Sequence, residues 1–153
     1  MSKLLFVAVA IIFSLTLQAQ LTKPEMEDLI TNGSSRNWQF LTYKKTLGAE
    51  CDGDGQLYTF FNNGKLQRKR CINKKTEFQE VTWKLIPVSE ATRGEWQIQL
   101  SQPIEIAKGS YVQTMRVDLP LGKMHEKNKK MILRVVPDCK ACVEQDVTLT
   151  SMN

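Results

Sequence analysis

A single histidine, His125, stands among 153 residues. It lies in the basic stretch Lys123-Met124-His125-Glu126-Lys127, where the expected state is a solvated loop side chain. Nucleophilic catalysis by Ser or Cys needs an adjacent base, and one loop histidine with no plausible partner argues against acyl transfer. The Gly-rich phosphate loop, the zinc-protease helix motif and the nucleophile elbow are all missing. Asp52-Gly53-Asp54-Gly55 lacks the Gly at position six and the Glu at position twelve of a calcium loop, since Leu57 and Asn63 stand there. It reads as a turn. No catalytic residue, metal site or cofactor is expected, and the chain is read as a non-enzyme.

Long apolar runs are also scarce. The one present, Leu4 to Phe13, follows Lys3 and ends in the small-residue exit Gln18-Ala19-Gln20. A charged start, an apolar middle and a small-residue exit make a signal peptide, expected to be cut after Ala19. The run is shorter than the roughly 20 residues that cross a bilayer, so no transmembrane segment is expected in the mature chain. No cysteine follows Ala19, so a lipoprotein anchor is not indicated. Lys3 is the one charge in that segment, and its removal takes the formal charge from +5 to +4. That is short of the basic balance of a dedicated nucleic-acid binder. The strand Leu66–Cys71 also lacks the aromatic stacking platform that single strands need, so nucleic acid is not an expected partner.

What remains is one domain's worth of chain. The expected organisation is a signal peptide at 1–19, a short helix and lead-in at 20–36, and a single β domain at 37–153. Lys23-Pro24-Glu25-Met26-Glu27-Asp28-Leu29-Ile30 suits a helix, with Pro24 and acidic residues in its first turn. Asn32-Gly33 then supplies residues that tolerate the left-handed conformation ending a helix. From Asn37 the period becomes two, with Trp38, Phe40 and Thr42 on one face. Leu57–Phe61, Asn62-Asn63-Gly64-Lys65 and Leu66–Ile72 form a hairpin, because Asn-Gly supplies the positive φ of a tight turn. Strands follow at Glu80–Ile86, Glu95–Ser101, Tyr111–Leu119, Met131–Val136 and Gln145–Thr150, punctuated by Pro and Gly. The pattern predicts an all-β fold of about eight antiparallel strands with a short N-terminal helix over one end. Closure into an up-and-down barrel is favoured over a sandwich, since closure removes exposed edges.

Cys51 lies before the hairpin and Cys71 ends it; folding about Asn63-Gly64 lets Cys51 return over the hairpin base. A Cys51–Cys71 disulfide is expected. Cys139 and Cys142 form Cys-Lys-Ala-Cys in a connection followed by a strand and not by the helix of a redox motif, so a loop-stapling disulfide is expected. Structural zinc needs paired ligands, which the separation of Cys51 from Cys71 does not provide.

Several segments resemble the lipocalin-like proteins exported by Gram-negative bacteria: Asn37-Trp38-Gln39-Phe40, Cys51, Tyr58-Thr59-Phe60-Phe61-Asn62-Asn63-Gly64-Lys65, Cys71, Thr82-Trp83-Lys84-Leu85 and Trp96-Gln97-Ile98-Gln99-Leu100. The likeness covers about Asn37 to Thr150. It departs where lipocalins place a glycine two residues before the tryptophan, since Arg36 stands there. The resemblance implies a small calycin-type barrel in the periplasm, at the outer membrane or outside the cell. It also implies that a late-strand arginine, Arg134, lies across Trp38 as a cation–π closure. Two functions are expected from this reading. The first is a non-catalytic module holding a small, partly apolar ligand, with Phe40, Tyr58, Phe60, Trp83 and Trp96 as its wall. The second is a filled-core envelope protein whose basic segments, Lys65–Arg70 and Lys123–Lys130, meet an anionic partner; as a hairpin and a loop, both are expected to be solvated.

Overall fold

A computed structural model describes residues 21–40, 44–46, 49–52, 55–90, 92, 94–107, 110–118, 130–135 and 145–152. The segment 1–19 expected to be a signal peptide, His125, most of the basic loop ending at Lys130, and the Cys139/Cys142 pair lie outside the described residues.

One helix, α1 (Lys23–Thr31), precedes ten strands. These are β1 (Ser35–Phe40), β2 (Lys44–Thr46), β3 (Ala49–Asp52), β4 (Gln56–Phe61), β5 (Lys65–Ile72), β6 (Lys75–Ile86), β7 (Trp96–Ala107), β8 (Ser110–Asp118), β9 (Lys130–Val135) and β10 (Gln145–Met152). Eight of them close a barrel in the order β1-β10-β9-β8-β7-β6-β5-β4, and β4 returns to β1. Every pairing is antiparallel. β2 and β3 form a separate two-stranded sheet between β1 and β4. The architecture is compatible with a lipocalin-like fold.

Strand alternation sets the inside. Trp38, Tyr58, Phe60, Leu66, Val81, Trp83, Leu85, Ile98, Leu100, Met115, Val117, Met131, Leu133, Val147 and Leu149 are all buried, and they occupy alternate positions on their strands apart from an interruption at the irregular part of β7 and β8. β6 and β7 run longer than their hydrophobic alternation indicates. The extension Lys75–Gln79 is polar apart from Phe78, so no apolar period marks it as strand; Gln102–Ala107 carries Ile104 and Ile106 in alternation, but Pro103 reads as a break before them. β2 and β3 are three and four residues long, too short for a period to declare itself.

α1 closes one end of the barrel. Glu25 reaches back to accept hydrogen bonds from the Thr22 N–H and hydroxyl, each at 2.7 Å, which satisfies a backbone donor at the helix start. Asn32 then adopts the left-handed conformation and donates its N–H to the Asp28 carbonyl at 2.6 Å. Met26 and Ile30 point into the core. The last carbonyls meet side chains of β1: Trp38 Nε1 donates to the Ile30 carbonyl at 2.9 Å, and Arg36 Nη1 donates to that of Leu29.

The β4–β5 turn beside this end requires glycine. Gly64 has φ +80°, and an added Cβ would stand 3.3 Å from the Trp83 carbonyl oxygen. Its own carbonyl accepts from the Trp83 N–H at 2.7 Å, joining the turn to β6. The expected Cys51–Cys71 disulfide is present, with the Cα atoms 5.6 Å apart, and it ties the small sheet to β5.

Candidate functional site

The end of the barrel away from α1 is built differently. On β4 the inward positions are Gln56, Tyr58 and Phe60, and on β5 they are Leu66, Arg68 and Arg70. Tyr58 pairs with Arg68, which pairs with Gln79 of β6; one step further out, Gln56 pairs with Arg70 and then Glu77. Alternation therefore carries two arginines toward the interior, above a floor of apolar side chains.

Arg68 is only 4% exposed. Its Nε donates to Gln56 Oε1 at 2.8 Å and its Nη1 to Gln79 Oε1 at 3.4 Å. The Tyr58 hydroxyl donates to the same Gln56 oxygen at 2.6 Å. Burial pushes the Tyr58 phenol up to about 12, against the opposing pull of the Arg68 charge, so the hydroxyl stays a neutral donor. Burial also lowers the pKa of Arg68, and Tyr58 offsets part of this. Among the described residues Arg68 has no ion-pair partner, and its Nη2 is buried without a hydrogen bond. A buried donor left unmade costs on the order of 1–3 kcal/mol, more when charged.

Arg70 contrasts with it. Its guanidinium is held by Glu77 at 2.8 Å and by Glu105 of β7. Burial works against its charge, but the hydrogen bonds to these carboxylates outweigh it and raise its pKa.

Access to Arg68 comes from a parting of two strands. β6 and β7 are in register from Trp83↔Leu100 to Ile86↔Gln97. Beyond Leu100 the chain reaches Pro103, which has no N–H to give a ladder. There the Thr82 N–H donates to the Ser101 hydroxyl at 3.1 Å, and Gln79 Nε2 meets the Pro103 carbonyl at 3.5 Å. A cleft of about 270 Å³ opens, with Arg68, Arg70, Gln79 and the two glutamates in its lining. Phe78 and Tyr111 complete it. These two, 55% and 58% exposed, are two of the three large hydrophobic side chains exposed among the described residues.

The five aromatics expected to form a ligand wall all face inward. Phe60 and Trp83 pack edge to face, with centroids 5.3 Å apart, and Trp83 Nε1 donates to the Phe61 carbonyl at 3.1 Å. Phe40 and Trp96 are partly buried against the core. Tyr58 alone joins the Arg68 network by hydrogen bond. The structure thus gathers the aromatic core and the polar cleft at different places.

Two expectations need correction. The guanidinium over Trp38 belongs to Arg36, at 5.6 Å from the ring centroid, and not to Arg134. Met131, Leu133 and Val135 take the inward positions of β9, so Arg134 projects outward and bonds Asp146 at 2.9 Å and Glu95 at 3.4 Å. The basic run Lys65–Arg70 is solvated only in part: Arg68 is buried and Arg70 is held by two carboxylates, while Lys65 is exposed and pairs with Glu80 at 3.3 Å. Sequence reasoning missed Arg68 as a site residue. The available signal was its place two residues after inward Leu66 and directly opposite Tyr58.

Comparison with protein-family models, with curated proteins and with solved structures finds no match. Among the described residues no helix is long and apolar enough to cross a membrane.

Proposed function

We propose that this chain is an exported, non-catalytic, lipocalin-like binding module that holds a small, partly apolar molecule. One observation carries the reading: the cleft between β6 and β7 has aromatic side chains in its lining and a buried, incompletely bonded arginine. Pockets that orient small ligands combine apolar walls with a few placed polar groups, and this cleft has both. Its about 270 Å³ suits a ligand of small size. The Cys51–Cys71 disulfide supports a destination in the periplasm, at the outer membrane or outside the cell, where such bonds persist. Burial of Arg68 and the pairing of Arg70 with Glu77 and Glu105 take two of the four basic side chains out of the hairpin surface that an anionic envelope partner would use.

The test is mass measurement of the protein exported by its own host, under native and then denaturing conditions, without reduction. A native excess that is released on denaturation as one small molecule is the expected result. Equal masses, together with no uptake when the host's small-molecule extract is added back, would count against carriage.

A further inference from the structure

We infer that the cleft between β6 and β7 is a carboxylate-binding site, taking a small organic monocarboxylate whose acid group sits on Arg68 and whose apolar body lies against Phe78 and Tyr111. The inference rests on the binding-module reading and specifies its ligand.

The head-group argument begins with the guanidinium. Its five N–H groups form a rigid fork matched to carboxylate geometry. Arg68 uses Nε on Gln56 and one Nη1 hydrogen on Gln79, while Nη2 has no bond. A second Nη1 hydrogen and those of Nη2 are left for a two-oxygen acceptor. The side chain is 4% exposed, so bulk water is a poor substitute for that acceptor. The two glutamine oxygens that hold the arginine are neutral, and Glu105 acts on its charge only from a distance, without a direct ion pair. A bound carboxylate supplies both the missing acceptor and a negative charge in direct contact.

The charge around the cleft sets the valence. Arg68 and Arg70 face Glu77 and Glu105, so the formal charges of the lining cancel before a ligand enters. A monoanion adds one negative charge directly on Arg68. A phosphate or dicarboxylate adds a second that Glu77 and Glu105 repel, and Arg70 is already committed to them.

The body of the ligand follows from the lining and the volume. Phe78 lies on β6 and Tyr111 on β8, and each leaves more than half of its surface open. Exposed aromatics beside a cleft offer area that a flat or branched apolar group can cover. About 270 Å³ is the space of roughly nine water molecules in the liquid. That admits an acid such as 3-phenylpropionate and excludes a long-chain fatty acid lying wholly within the cleft.

The test uses the mature protein with its disulfide intact, titrated calorimetrically at pH 7 with 3-phenylpropionate, 3-phenylpropanamide and phenylsuccinate, a dianion at that pH. A neutral apolar dye, N-phenyl-1-naphthylamine, is run in parallel. The expected result is that 3-phenylpropionate binds at least tenfold more tightly than the amide and more tightly than phenylsuccinate. In Arg68→Met the acid and the amide become equivalent, while Tyr111→Ala weakens both. Equal binding of acid and amide by the wild type overturns the inference, whatever the variants do. Uptake of the dye in that case leaves the binding-module reading standing, and failure of all four probes removes the inference and weakens that reading with it. Should Arg68→Met fail to fold, Arg68→Lys is read in its place: it keeps the charge without the fork, and loss of at least half of the acid's preference is expected. An undiminished preference in either variant also overturns the inference.

Discussion

Trp38 on β1 donates its indole N–H to the carbonyl of Ile30 on α1 at 2.9 Å, and both residues are fully buried. Arg36 adds a second clamp two residues earlier, bonding Leu29 and the Asn32 side chain while covering the Trp38 ring. Helix carbonyls that lack partners are costly when buried, and here two β-strand side chains supply them. α1 is therefore held to the barrel by hydrogen bonds as well as by Met26 and Ile30.

Trp38→Phe tests that clamp, because it keeps an aromatic ring and removes the donor. A loss of about 1–3 kcal/mol is expected, the range for stranding a buried acceptor. Urea unfolding measures it. Amide exchange should quicken in α1 more than in β8 and β9, and uniform quickening would speak against a local role.

Tyr58 gives the protein an alkaline limit. Its folded pKa of about 12 lies above the ordinary tyrosine value of 10.0, so folding favours the neutral phenol. The associated stability is fully present below pH 10 and is lost as pH rises toward 12; two pH units correspond to about 3 kcal/mol. Denaturant midpoints taken between pH 9 and 12 should fall more steeply for the wild type than for Tyr58→Phe. Parallel curves would show that Tyr58 titrates normally.

Arg68 sets binding against stability. Replacing a buried charge by an apolar side chain of similar length is often neutral or stabilising by about 1–4 kcal/mol. Arg68→Met should leave the melting temperature unchanged or raise it. Gln56→Leu should lower it, since that change strips the arginine and the Tyr58 hydroxyl of a shared acceptor. Thermal unfolding of the two variants side by side decides the sign.

The Cys51–Cys71 bridge spans 20 residues of sequence. A loop of that length is worth about 3 kcal/mol in the chain-entropy model. The Cys51→Ala/Cys71→Ala double variant should lose about that much in guanidinium unfolding, measured against the oxidised wild type. A loss below about 1 kcal/mol would mean that the unfolded chain gains little freedom on reduction.

Much of this fold was legible in the sequence because the barrel obeys one rule, a period of two with turn residues between. Trp83, Trp96 and Met115 fall on the inward side by that rule alone. The rule weakened where polar residues enter the interior. Arg68 and Arg70 sit among Lys65, Gln67 and Lys69, and a run in which both faces are polar carries no hydrophobic period to read. Only cross-strand partners distinguish the faces: Glu77 and Glu105 for Arg70, Tyr58 and Gln79 for Arg68. The parting of β6 from β7 was half legible, since Pro103 was read as a break in the sheet. The Trp38 cap was assigned to Arg134 when the nearer Arg36, standing where a glycine was expected, fills it.

Barrel closure has a consequence in time. β1 pairs with β10, so Trp38 lies opposite Ser151 across almost the whole length of the β domain. A chain delivered from its N terminus, by a ribosome or through a membrane channel, can form the β4–β5 hairpin early and pack α1 against β1. One side of β1 must nonetheless stay unpaired until the last strand arrives, and loop-closure entropy delays that final contact. During the wait, both β1 and the newest strand are open edges that can pair with another copy. The interval between delivery of Gln39 and delivery of Thr150, which pair in the closed barrel, is thus the period in which this protein is most exposed to misassembly.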